Sequence, residues 1–372
     1  MIILSLWLLD VNPNTMKEEI VMKRRDVLKK VGVGAAAAVA TSAISAPYVI
    51  AAEKAAPIRW RLQTYAGSAL AEFVCKPGVE AFNKAANGEM ILEQYNSDEL
   101  VPQGELFRAV QEGTIDAAQS DDDSMAAPVD VAVFAAYFPF ASRYSLDVPT
   151  LWHWYGLNKI WEEAYAKIPG VTWISTGSWD PCNFATIKPI RSVKDLKGLR
   201  MYMFPTGGRF MQRFGVIPMS LPYEDVQMAI QTKELDGVCW SGITEDYTVG
   251  WADVTKYYLT NPISGAWAGS YFVNTKKWEA LPDHLKTIFR MQCDTSHYYR
   301  LHWYWWGEAH YRTKGGKLQL TTIPEKDWKV VEDEALKFWD EIAAKSPRNA
   351  QVVKILKEYV DTMKKAGPPY RY

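Results

Sequence analysis

The signatures by which enzymes commonly declare themselves are missing from this sequence. There is no GxSxG elbow, no Walker loop and no GxGxxG after a strand, and the five histidines show no metal-ligand spacing. Cysteine is scarce. The four thiols, Cys75, Cys182, Cys239 and Cys293, stand far apart without a CxxC or Cys/His pattern, so they exclude a zinc ribbon; one pair could bridge, or all could be buried free thiols. Charge of one sign is not in excess either. With 42 basic against 43 acidic residues and a net charge of −1, nothing invites nucleic acid or another polyanion. A membrane-spanning run is also wanting, since the weakly apolar stretch Val31 to Ala46 is short for a span of ~20 residues and is rich in Ala and Gly.

What is abundant is aromatic surface. Sixteen Trp and twenty Tyr exceed what core filling alone recruits, and an aromatic-lined pocket is one use for them. The first 52 residues read as a leader and not as part of the fold. Arg24 and Arg25 form a twin arginine ahead of the Ala-rich run, and the small residues around Ala51 permit cleavage, so export to the periplasm by the twin-arginine route is expected. The residues before Met22 read as an over-called start.

The chain is organised around a repeat. Val101 to Asp121 and Leu221 to Ser241 align at an offset of 120, matching Pro102 with Pro222, Ala109 with Ala229, Gln111 with Gln231 and Asp116 with Asp236. Each copy opens with Pro and an acid, continues with apolar residues at helical spacing and ends in a short apolar strand. The strand tips, Gln119 and Ser120 in one copy and Cys239 and Trp240 in the other, are where an open α/β sheet binds ligand. Two such tips from two lobes predict one cleft. Around the repeat, the spacing predicts strands at Ile58 to Thr64 and Gly170 to Ser175, helices at Trp152 to Ala166 and Tyr247 to Tyr258, and a long helix over Leu285 to Thr313. The loop Gly177 to Asn183 carries Trp179 and Asp180 at a strand end, a place that favours function. Asp121, Asp122 and Asp123 read either as solvated loop charge or as a site for a cation or cationic substrate.

SVKDLKGLRM from Ser192, FGVIPMSLPYEDVQMAIQTKELDG and the Trp240 that follows, together with NTKKWEALPDHLKTIF from Asn274, resemble the solute-binding proteins of tripartite ATP-independent periplasmic (TRAP) transporters. The branch most similar is that of the 2-oxo-acid and lactate binders. The resemblance implies an α/β fold of two lobes, with crossing strands and one long helix bridging both: residues 57–178 with 270–308 as lobe I, and 179–269 with 309–372 as lobe II. It implies no enzyme activity, and as partners a small organic solute, an organic acid or related compound, and the small and large membrane subunits of a permease. A receptor read by a sensor kinase and an exported α/β enzyme are the alternatives. For the enzyme, only Cys182 and Cys239 offer a nucleophile, and no His stands near them in sequence.

The expected ligand-binding residues are Trp179, Asp180, Tyr202, Phe204, Cys239, Trp240 and Trp267. This sequence departs from the family's pattern where it matters most. Tyr202 stands where the family's Arg would fork a ligand carboxylate, and a hydroxyl supplies neither charge nor fork. Cys239 stands where a Glu would help hold a metal, and Asp180 or Pro181 falls near the family's Gln. A sodium or calcium ion bridging the ligand would therefore rest on Asp180, Cys239 and Trp240. The expected ligand is accordingly an amine, a polyol or a metal-bridged compound, or else an anion held by Arg61 or Arg209.

Overall fold

A computed structural model describes residues 56–367. The expected leader, with its twin arginine, lies outside the described residues.

The described chain builds two sheets. The first contains β1 (Ile58–Thr64), β2 (Met90–Tyr95), β3 (Ala117–Ser120), β4 (Val171–Ser178) and β10 (Ala268–Asn274), in the order β2-β1-β3-β10-β4. The second contains β5 (Cys182–Thr186), β6 (Arg200–Met203), β7 (Ile217–Met219), β8 (Gly237–Cys239), β9 (Tyr257–Ser264) and β11 (Gln319–Thr321), in the order β11-β9-β5-β8-β6-β7. The chain passes between the sheets at two neighbouring places. Trp179 to Pro181 joins β4 to β5, Gly265 to Trp267 joins β9 to β10, and Trp179 N donates to Trp267 O at 3.0 Å, tying the crossings together.

The repeat is structural as well as textual. Pro102 and Pro222 each precede a three-residue 3-10 turn, which leads into the helices Leu106–Glu112 and Val226–Gln231 and on to β3 and β8. Asp116 and Asp236 do the same work in the two copies. Each carboxylate accepts from the backbone N–H of an arginine, Arg61 on β1 or Arg200 on β6, while each aspartate N–H donates back to that arginine's carbonyl. Each aspartate thus fixes the parallel register of the strand pair beside it.

The helix Asp283–Lys314 is 32 residues long, about 48 Å at 1.5 Å per residue, enough to lie along both lobes. Two glycines set where it touches. A Cβ on Gly78, in the first lobe, would meet Gln292 Oε1 and Ser296 Oγ at 2.5 Å, and one on Gly307 would meet Thr244 of the second lobe at 2.3 Å. Phe289 packs with Trp60, Phe82 and Trp278 in the first lobe's core.

Some sequence expectations change. The helix expected over Tyr247 to Tyr258 ends at Thr248, because Gly250 adopts a positive φ of 83°, and Tyr257 already begins β9. Gly156, at φ 84°, likewise divides the helix expected over Trp152 to Ala166 into Asp147–His153 and Leu157–Tyr165. The C-terminal region, expected wholly in lobe II, is shared. Glu334 and Glu341 hold Arg213 of the second lobe, whereas in the last helix, Pro347–Ala366, Tyr359 donates to Asp147 at 2.5 Å, between β3 and β4.

Candidate functional site

Strand ends and crossings from both lobes meet in one aromatic array. Trp179 and Trp267, one from each crossing, stack at 4.4 Å; Phe204, just past β6, lies 5.7 Å from Trp267 and 3.6 Å from Trp240, and Trp240 stacks on Tyr202 at 4.4 Å. All five are residues expected from sequence, and all are buried. The array recruits others that sequence reasoning did not single out. Tyr65 meets Trp267 edge-on at 5.1 Å, Tyr137 meets Phe204 at 4.9 Å, and Tyr223 approaches Trp240 at 6.3 Å. A signal for Tyr65 was present. If β1 is laid on β6 so that Arg61 meets Arg200, Tyr65 falls on Phe204.

Two carboxylates stand in this aromatic setting. Asp180, in the first crossing, accepts from Gly242 N at 2.7 Å, Trp267 Nε1 at 3.1 Å and Tyr137 OH at 3.2 Å. Glu245, in the first turn of the helix Ile243–Thr248, accepts from Tyr223 OH at 2.7 Å and from Tyr304 OH of the long helix at 3.3 Å. Both are buried. Burial pushes Glu245 up to about 8 against the hydrogen bond from Tyr223, and burial together with the charge of Glu245 raises Asp180 well above the usual carboxylate range. Asp246, also buried, is raised in the same way. Among the described residues these acids have no salt-bridge partner, so a cation in the array would favour their ionised forms.

The available arginines lie elsewhere. Arg61 and Arg209, expected as alternative anchors for an anion, are engaged with Asp116 and Thr206 respectively. Arg300 is buried with its guanidinium 3.8 Å from the centre of the Trp179 ring, whose other face carries Trp267. Its charge acts on Tyr65 of the array, and its Nε and Nη2 have no hydrogen-bond partner among the described residues. Tyr202 is buried against Trp240 and supplies no charge.

The expected metal residues are engaged with partners of their own. Asp180 already accepts three hydrogen bonds, and Cys239 Sγ lies 3.3 Å from Cys182 Sγ beneath the array. Among the described residues no cluster of three His, Cys, Asp or Glu side chains could hold a metal. The run Asp121 to Asp123 is neither solvated nor an open cation site. Asp122 accepts from Tyr165, Ser270 and Trp161 at 2.6 to 3.0 Å, Asp121 accepts from Ser124 N at 2.7 Å, and Asp123 accepts from Thr206 N at 2.8 Å.

Asp123 has a counterpart across the cleft. It caps the start of Pro205–Met211 in the second lobe, while Glu224 of the second lobe accepts from Ser68 N at 3.0 Å, at the start of Ser68–Val74 in the first. The lobes are latched reciprocally. Beside the Glu224 latch a small recess of about 30 Å³, lined by Gly67, Ala69, Tyr223, Glu224, Gln227, Val249 and Trp251, leads toward Tyr223, which donates to Glu245. A small void of about 20 Å³ between Trp152 and Leu356 is lined by apolar side chains and two serines, so it is a gap in packing and not a site for a charged or polar solute.

Two lobes, paired crossings and a closed aromatic cleft without a catalytic constellation define a solute receptor of the hinge-closing kind. The chain belongs to the DctP family, bacterial extracellular solute-binding protein family 7, whose model matches residues 66–346. It is 61% identical to a TRAP periplasmic solute-binding protein of Chromohalobacter salexigens solved with bound (S)-(+)-2-amino-1-propanol, at a TM-score of 0.83 over 85% of this chain and 99% of that one. It is also 26% identical, over 89% of its length and 92% of the relative's, to a monocarboxylate 2-oxoacid-binding periplasmic protein of Nostoc sp.. A TRAP receptor of Colwellia psychrerythraea, solved with calcium and pyruvate, is 20% identical and shares the fold at a TM-score of 0.73, covering 83% of this chain and 96% of its own.

Proposed function

We propose that the protein is a periplasmic receptor for a small amino alcohol, which it delivers to a TRAP permease of one small and one large membrane subunit. The observation that carries this reading is the pair of buried carboxylates, Asp180 and Glu245, set among aromatic rings with Tyr202 where a charged anchor for a carboxylate would be. An ammonium group suits such a place. Aromatic faces attract it by cation–π interaction, worth ~2 kcal/mol or more when desolvated, and a carboxylate supplies a charge-assisted hydrogen bond. Trp240 Nε1, buried without a hydrogen-bond partner among the described residues, is a donor free for the ligand's hydroxyl oxygen. The 61% identical relative solved with 2-amino-1-propanol supports the same class of ligand. Metal-bridged binding, as with the calcium and pyruvate of the Colwellia protein, is the second reading, in which Asp180 would hold the bridging cation.

In this reading the protein catalyses nothing. Closure brings residues 57–178 with 270–308 onto residues 179–269 with 309–346, the last helix riding on the first lobe. The twin arginine at Arg24 and Arg25 directs export, and replacing both by Lys is expected to leave the protein in the cytoplasm. Calorimetry tests the ligand. Micromolar or tighter binding of 2-amino-1-propanol, unchanged by chelator, is expected, with no binding of pyruvate or lactate; the reverse pattern would overturn the reading.

A further inference from the structure

Buried polar atoms in folded proteins nearly always have a partner, and an orphan calls for an explanation. Three orphans stand at the strand tips of the two repeats: Ser120 Oγ at the end of β3, Asp121 Oδ2 in the next residue, and Trp240 Nε1 just past β8. Ser120 and Trp240 hold the same place in the two copies, at the offset of 120. All three side chains are buried. Trp240 Nε1 has a use in the amino-alcohol reading. Asp121 has none, although a buried carboxyl oxygen left unpaired is the costliest of the three.

The neighbours of Asp121 show where that oxygen stands. Asp122 turns into the first lobe, to Tyr165, Trp161 and Ser270, and Asp123 crosses to Thr206 N of the second. Between them Asp121 accepts from Ser124 N at 2.7 Å through Oδ1, and Oδ2 has no partner among the described residues. Its charge acts on Tyr202, which stacks on Trp240 at 4.4 Å. Burial first, and then the charges of Glu245, Asp98 and Asp121, hold the Tyr202 proton well above the usual tyrosine range. Carboxyls of both lobes thus act on one ring, Asp121 from the first and Glu245 from the second.

A small amino alcohol has two ends to match these two carboxyls. Its ammonium group suits Asp180 and Glu245. Its hydroxyl both accepts and donates, so it can take a hydrogen from Trp240 Nε1 and pair with Asp121 Oδ2 at once. Burial raises Asp121 to about 8, and in either protonation state this oxygen pairs with a hydroxyl. A ligand carboxylate gains far less, since it would add negative charge beside Asp121, Asp122 and Asp123 with Tyr202 in place of an arginine fork. Resting on the amino-alcohol reading, we infer that Asp121 is a specificity-determining residue whose free carboxyl oxygen reads the ligand's hydroxyl. The solutes taken are then amines with a hydroxyl on the neighbouring carbon, and simple amines and amino acids are passed over.

Calorimetry tests this with 2-amino-1-propanol, with propan-2-amine, which lacks the hydroxyl, and with alanine, which has a carboxylate in its place. The wild type is expected to bind the amino alcohol at least about a hundredfold more tightly than either, because a site built for a hydroxyl leaves its own groups unpaired without one. Asp121→Ala is expected to lose about tenfold for the amino alcohol and nothing for propan-2-amine, while Asp121→Asn, which keeps an oxygen at that place, retains most of the preference. Equal binding of propan-2-amine or alanine by the wild type overturns the inference without any variant. So does an unchanged preference in Asp121→Ala, or an equal loss for both amines, which would make Asp121 the ammonium's anchor or a residue of the fold. A wild type that binds none of the three sinks the amino-alcohol reading and this inference with it, whereas tight binding of the amino alcohol keeps that reading whatever Asp121 does.

Discussion

An ionised carboxylate deep in an aromatic setting costs several kcal/mol unless something positive offsets it, and Glu245 meets that cost by holding its proton up to about pH 8. An arriving ammonium ion would take the proton's place. Below pH 8, cation binding therefore releases about one proton, and affinity should rise about tenfold per pH unit between roughly 6 and 8. Above that it levels off until the amine itself deprotonates near ~10. Calorimetry in buffers of different ionisation enthalpy measures the proton, and an affinity that fell with rising pH would contradict the assignment. Glu245→Gln should lose about a hundredfold in affinity, on the order of 3 kcal/mol, because the charge is gone while the side-chain volume is kept. The same change alters stability with a definite sign. A carboxyl whose pKa is raised by folding stabilises the native state most below the unfolded value and loses that contribution as pH climbs through the folded one. The ligand-free wild type should thus lose more Tm between about pH 5 and 8 than Glu245→Gln does, and parallel Tm curves would count against a titrating Glu245. Trp240→Ala should cost about 2–3 kcal/mol of binding through lost stacking, with circular dichroism unchanged.

At the scale of elements, the two copies of the repeat do more than line the cleft. The first copy ends at β3 and delivers Asp123 to a helix of the second lobe; the second copy opens with Pro222 and delivers Glu224 to a helix of the first. A helix-capping contact contributes about 1 kcal/mol, and each of these two joins one lobe to the other, so separation of the lobes would break both. Asp123→Ala and Glu224→Ala should each weaken ligand binding about fivefold through faster release, and the double variant about 25-fold, since separated sites add. Stopped-flow release with unaltered rates would remove the latch from the account. The repeat itself was legible because Pro, Ala, Gln and Asp recur at one offset, and Trp240 was legible because it stands at a repeat's strand tip. Glu245 and Tyr304 were not. Each reaches the array through tertiary placement, Glu245 four residues past the repeat and Tyr304 from a helix whose pattern of buried and exposed aromatics no local rule divides. The aspartates at 121–123 misled for a related reason: their partners Trp161, Tyr165, Thr206 and Ser270 are all distant in sequence.

For the molecule as a whole, the hinge and the ligand are linked by the crossings. Trp179 and Trp267 belong to the two segments that join the lobes, and they also form one wall of the array, so whatever binds there acts on the joint itself. Asp180, between β4 and β5, reaches Gly242 at the end of the second repeat and so ties the joint to the second lobe. A ligand that favours the ionised form of these acids stabilises the closed arrangement only by the difference in its affinity for closed and open forms. Small-angle scattering should therefore show a smaller radius of gyration with 2-amino-1-propanol and none of this change with pyruvate. At about 100 times its dissociation constant the amine should add about 2.7 kcal/mol to the stability of the folded state, seen as a rise in Tm that chelator leaves intact. Pyruvate that compacted the protein only with calcium present would mean that Asp180 exchanges its hydrogen bonds for a metal on opening. It would place this chain with the metal-bridged receptors in spite of Tyr202 and Cys239.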